Sequence, residues 1–148
     1  MEEKYMELAL KEARKSFEED EVPIGAVIVQ NGKVIAKAHN TRNKTQNAIN
    51  HAEVIAISKA CKKLKSWRLD DAEIYVTLEP CPMCAGAILN ARINKLYFGA
   101  YDKTSKTNLL EIIMKDDRLN HKTEVNGGIL EKECSTVLSE FFKGKRKI

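Results

Sequence analysis

Strands and helices alternate along this chain once an opening hairpin has passed, and that alternation leaves few architectures open. An amphipathic helix comes first, with Met6, Ala9, Leu10, Ala13 and Phe17 at helical spacing. The stretch PIGAVIVQNGKVIAKA then predicts a β-hairpin, two β-branched runs about Asn31-Gly32, a dipeptide that favours the type I′ turn. A helix is expected from about His51 to Leu64, carried by Val54, Ile55, Ile57 and Ala60. AEIYVTL reads as a buried strand stopped by Pro80. PMCAGAILNAR reads as a helix with Pro82 in its first turn, where the missing N–H would be unpaired anyway. KLYFGA is another strand; a loop, a short helix around NLLEIIM and a strand near KTEV follow it. After Gly127-Gly128 a last helix is expected from Leu130 to Phe142. The expected fold is α/β, a sandwich of helices about a mixed sheet.

No linker, repeat or low-complexity segment divides the 148 residues, so 1–148 is expected to be one domain with a core large enough to need no staples. The apolar share of 43% and charged share of 31% suit a globular protein, and no apolar run reaches the roughly 18 residues of a membrane span. The acid-rich start MEEKYMELALKEARKSFEED fits neither a signal nor a transit peptide, so a cytoplasmic location without a membrane partner is expected. A net charge of +4 says little by itself. Its distribution says more, because FFKGKRKI concentrates Lys143, Lys145, Arg146 and Lys147 at the end, either as a solvated helix end or as a partner for phosphates.

The chemistry rests on pairing NHAEVIA with EPCPMC. His51 falls at one helix start, Cys81 and Cys84 at another, and a helix N-terminus favours thiolates. Thiolates and a neutral imidazole are zinc ligands; three of them leave the fourth tetrahedral place to water, as in a catalytic site. Cys61 and Cys134 fall within amphipathic helices and read as core thiols, so no fourth ligand closes a structural site. A thioredoxin-like redox pair would leave His51 and Glu53 without work, and a disulfide is not needed in a reducing compartment. Glu53 follows His51 by two positions, which do not share a helix face. It is poorly placed as a ligand beside His51 and well placed to reach the water from another side. Zinc pulls the pKa of bound water from roughly 16 to about 7, and Glu53 can take that proton and pass it to a leaving nitrogen.

His51-Ala52-Glu53 with Pro80-Cys81-Pro82-Met83-Cys84 resembles the signature of the zinc-dependent cytidine and adenosine deaminases. EVPIGAVIV, AHN, SWRL, YVTLEPCPMCAGAI, FGAYD, NH and GILEKECSTVLSEFF narrow the likeness, over about Tyr5 to Arg146, to the bacterial tRNA-specific adenosine deaminases of that superfamily. The resemblance implies a cytidine-deaminase-like three-layer α/β/α sandwich and a homodimer with one zinc ion per subunit. It implies hydrolytic deamination of the wobble adenosine to inosine in a tRNA anticodon stem-loop. It further implies that His51, Cys81 and Cys84 hold the zinc and Glu53 shuttles protons. Asn40, Ile24, Ala52 and Asp102 match positions around the target nucleotide; Phe141, Phe142, Lys145 and Arg146 match the helix flanking the anticodon loop. Several of these have a plainer reading, Asn40 as a turn residue, Ile24 and the phenylalanines as core, and Asp102 as a loop carboxylate; the basic residues are harder to dismiss, because phosphates need positive partners. The sequence departs from the family in having Asn47-Ala48 where Asp-Pro is usual, and a glycine-free KTSKTNLL where a glycine-rich loop is common. Both departures fall where substrate is expected. They leave two other readings open, a deaminase of a free base or nucleoside and a zinc-containing RNA-binding protein without catalysis; Glu53 speaks against the latter.

Overall fold

A computed structural model describes residues 2–103 and 109–146, with Arg146 described as backbone alone. Its elements are α1 (Glu2–Glu18), β1 (Gly25–Gln30), β2 (Lys33–His39), α2 (Arg42–Thr45), α3 (Ala52–Leu64), β3 (Ala72–Leu78), α4 (Pro82–Asn90), β4 (Lys95–Ala100), α5 (Leu109–Lys115), β5 (Glu124–Asn126) and α6 (Glu131–Arg146). The strands form one mixed sheet in the order β2-β1-β3-β4-β5. β1 is antiparallel to both β2 and β3, whereas β3, β4 and β5 run parallel.

The pleat sorts the core into two halves because successive side chains point to opposite faces. Ala26, Ile28, Ile74, Val76, Leu96 and Phe98 pack on one side against Ala52, Ala56 and Ala60 of α3, Ala85 and Ile88 of α4, and Leu110 and Met114 of α5. Their neighbours Val27, Val29, Tyr75 and Tyr97 face the other way, against Tyr5, Met6, Ala9 and Leu10 of α1 and Cys134 of α6. Three layers result, as expected.

Asn31 and Gly32 take φ values of 51° and 75°, the two left-handed positions of a type I′ turn. Two expectations need correction. The helix at the end starts at Glu131, because Leu130 adopts φ 54°, and it continues past Phe142, which brings Lys145 into its last turn. The short α2 lies in the segment between β2 and α3, where no helix is expected from the sequence. No helix of the described residues is long and apolar enough to cross a membrane.

The strand directions place the site. Since β1 is antiparallel to β2 and β3, its start lies at the same sheet edge as the ends of β2, β3 and β4. Ile24, Asn40, Cys81 and Asp102, from four separate connections, therefore meet at one edge, the carboxyl edge of the parallel strands where open α/β sheets bind ligands. The start of β1 is held there by a bare backbone contact. A Cβ on Gly25 would strike the carbonyl of Ala9 and the N–H of Ala13 in α1, and the Gly25 N–H donates to Thr77 Oγ1 at 3.1 Å. Gly25→Ala is expected to push α1 off the sheet and to cost about 3 kcal/mol, measured as a lower urea midpoint with an unchanged slope.

Candidate active site

His51 and Cys81 each occupy the N-cap of a helix, α3 and α4, with extended backbone at φ −77° and −73°. The cap conformation turns each side chain off the helix and across its mouth, and Pro82 presets the first turn of α4. His51 Nδ1 stands 3.7 Å from Cys81 Sγ and 3.6 Å from Cys84 Sγ. Tetrahedral zinc with ordinary Zn–S and Zn–N lengths separates nitrogen from sulfur by about 3.6 Å. The three side chains are thus arranged as a zinc ion would hold them, and among the described residues no fourth ligand joins the group. The donor set fits zinc and leaves one coordination position open.

Without a metal the two thiols divide their protons. Cys84 donates a hydrogen bond to Cys81, which with N–H groups of the helix start and the nearby His51 brings the Cys81 thiol down to about 5 despite burial. Cys84, as the donor and more deeply buried, is pushed far above the ordinary thiol range. The sequence treats both thiols as lowered by a helix start; the geometry lowers one and raises the other.

Glu53 lies in the first turn of α3, 4% exposed. Its Oε1 is the one fully buried side-chain oxygen or nitrogen among the described residues that lacks a hydrogen-bond partner. Burial raises its pKa to about 7, with the Cys81 charge adding to the effect. An orphaned acceptor of this kind is costly unless something else occupies the space before it.

Asn40 is buried at the end of β2, where its Oδ1 accepts the N–H of Ala52 at 2.8 Å and its carbonyl accepts Ser16 Oγ at 2.9 Å. The bond from Ala52 fixes the orientation of the amide and leaves Nδ2 to donate elsewhere. Ala52 is fully buried with its N–H committed to Asn40, and Ile24 is half-buried against the core. Asp102 follows β4, its N–H bonded to Glu79 Oε1 at 2.9 Å. Both line a cavity of about 530 Å³ with Phe98 and Tyr101. Glu79, two residues before Cys81, is a contact that sequence spacing does not reveal. The loop KTSKTNLL lies mostly outside the described residues, which resume at Leu109.

Along α6 the phenylalanines divide. Phe141 is buried edge-on against Phe17 of α1, while Phe142 is 44% exposed. Lys145 pairs with Asp20 and lies over the Phe141 ring, and the Arg146 side chain lies outside the described residues. Phe17 in the last turn of α1 and Asp20 in the turn after it lead to the start of β1, so the last turn of α6 flanks the same sheet edge as the His51, Cys81 and Cys84 cluster.

A three-layer α/β sandwich that presents one histidine, two cysteines and a buried carboxylate at adjacent helix starts is the architecture of the cytidine-deaminase-like enzymes. The chain belongs to the tRNA-specific adenosine deaminases of that group: a family model described as MafB19-like deaminase matches residues 1–146, and a tRNA-specific adenosine deaminase of Bacillus subtilis is 52% identical over 97% of this chain and 89% of its own. A solved structure from work on A-to-I editing by tRNA:A34 deaminases at the wobble position superposes with a TM-score of 0.85 at 43% identity, covering 91% of this chain and 99% of that one. A guanine deaminase from Bacillus subtilis is also similar, with TM-score 0.64 and 40% identity over 67% of this chain and 64% of its own.

The raised Glu53 pKa has a consequence for the metal-free protein. A carboxyl whose folded pKa stands above its ordinary value holds its proton more tightly when folded, so its contribution is present at low pH and declines as pH rises. The Glu53 share of stability is expected to fall by on the order of 2–3 kcal/mol between about pH 4.5 and pH 7, while the lowered Cys81 thiol adds a rise over the same range, so the fall is read as the difference between the parent and Glu53→Gln. Urea denaturation with a chelator, at about pH 5 and pH 8, measures it.

Proposed function

We propose that this protein hydrolyses the wobble adenosine of a tRNA anticodon loop to inosine, with release of ammonia. The observation that carries the reading is the unpartnered Oε1 of Glu53 beside the His51, Cys81 and Cys84 cluster. Those three residues would hold one zinc ion per subunit, which supplies Lewis acidity and activates water at neutral pH. Glu53 accepts the proton of the attacking water at its free oxygen and returns it to the departing nitrogen. A carboxyl with a pKa near 7 suits both transfers, since it is neither too weak a base nor too weak an acid.

Asn40 donates from Nδ2 to the base, Ile24 and Ala52 wall it, and Asp102 lies toward the sugar. Phe142 offers an exposed ring for a neighbouring base, and the family likeness assigns Lys145 and Arg146 to phosphate contacts. An anticodon loop is already single-stranded, so turning out one base costs less than it would in a duplex. Two cores sharing one sheet support reading 1–148 as a single domain, and the homodimer implied by the family completes the proposal.

The test is mass spectrometry of a short anticodon stem-loop bearing a wobble adenosine, where conversion adds about one dalton as an amine is replaced by oxygen. Glu53→Ala is expected to keep its zinc and to lower kcat about a thousandfold, whereas Cys84→Ala loses the metal and the activity together. Conversion of free guanine or cytidine, with none of the stem-loop, would instead identify a small-molecule deaminase.

A further inference from the structure

Three glutamates of the described residues are at most 5% exposed: Glu12, Glu21 and Glu53. Glu53 belongs to the site, and Glu12 is paired with Lys15 and His39. Glu21, only 2% exposed, is paired with no cation among the described residues and lies outside the His51, Cys81 and Cys84 cluster. Its Oε1 accepts the N–H of Asn43 at 3.1 Å and its Oε2 the N–H of Lys44 at 2.6 Å. These are the unpaired donors of the first turn of α2, which its own N-cap residue, Thr41, leaves without a side-chain bond. The cap is supplied instead from the far side of the β-hairpin.

A second clasp holds the same segment. Glu19 accepts from His39 Nε2 at 2.8 Å and from Lys44 Nζ at 3.0 Å, joining the end of β2 to α2. The Thr41 N–H bonds to the Asn50 carbonyl at 3.2 Å and closes residues 41–50 into a loop. One end of that loop is Asn40 and the other is His51. The two groups that face base and metal are thus the two posts of a loop pinned at its middle.

We propose that Glu21 is a positioning residue for the substrate. By pinning the first turn of α2 it keeps the 41–50 loop in the one shape that seats the base beside Asn40. The proposal deepens the tRNA deaminase reading and rests on it for the identity of the substrate. Releasing the pin leaves the seated shape only partly populated in the free protein, and binding must then select it. Apparent affinity falls by the populated fraction, while the bound complex and its chemistry are unchanged.

Glu21→Gln retains one acceptor oxygen for the two donors, and Glu21→Met fills a similar volume with none. The expected result is graded. Amide hydrogens of Asn43 and Lys44 exchange faster in Gln and faster still in Met, and the zinc content equals that of the parent. KM for the anticodon stem-loop rises about tenfold in Met and less in Gln, with kcat changed by less than about twofold. Unchanged exchange at Asn43 and Lys44 in Glu21→Met would overturn the latch. Faster exchange with KM unmoved, or faster exchange throughout the fold with loss of zinc, would reduce Glu21 to a structural support. If the parent protein leaves the stem-loop unconverted, the functional reading and the substrate half of the proposal both fall, while the exchange rates still decide whether Glu21 holds the loop.

Discussion

The direction of one strand organises the molecule. β1 lies between β2 and β3 and opposes both, so the connections into β1 and out of β2, β3 and β4 all open at one sheet edge. Were β1 parallel to its neighbours, Ile24 would lie at the opposite edge from Asn40 and Cys81. The close fit of Gly25 to the backbone of α1 holds the strand in place. A side chain there would separate the helix layer from the sheet and disturb the start of β1, which Thr77 anchors to β3.

On that edge the electrostatics follow from helix starts and burial. α3 and α4 aim their N-termini at the same small volume, and free N–H groups favour negative charge there. Burial opposes charge on the same groups. The outcome differs residue by residue, with Cys81 ionised early, Cys84 late and Glu53 poised near neutrality. The spread arises from hydrogen-bond order and depth, because all three belong to the first turns of neighbouring helices.

The sequence is most legible where the determining interactions are local. Asn31-Gly32 dictates its turn, AEIYVTL and KLYFGA match their strands residue for residue, and His51, Cys81 and Cys84 declare a metal site through their positions before two helices. What stays hidden depends on contacts distant in sequence. α2 has a weak local signal and is held by Glu21 and Glu19. Lys145 reads as a free cation in FFKGKRKI, yet the Asp20 carboxylate in the turn after α1 is its partner. Glu53 reads as an acid beside zinc, but nothing in HAEVIA tells that one of its oxygens is both buried and unpaired.

Asn40 joins two tasks in one amide. Its oxygen completes the first turn of α3 and only its nitrogen is left to meet a ligand, so it can offer hydrogens but no lone pair. Turning the amide over would bring two N–H groups face to face at the helix start. An exchange at this position that changes what the nitrogen can donate also changes what holds the start of α3. A change of hydrogen-bonding chemistry at position 40 would thus be felt first at the start of α3, whose N-cap is His51.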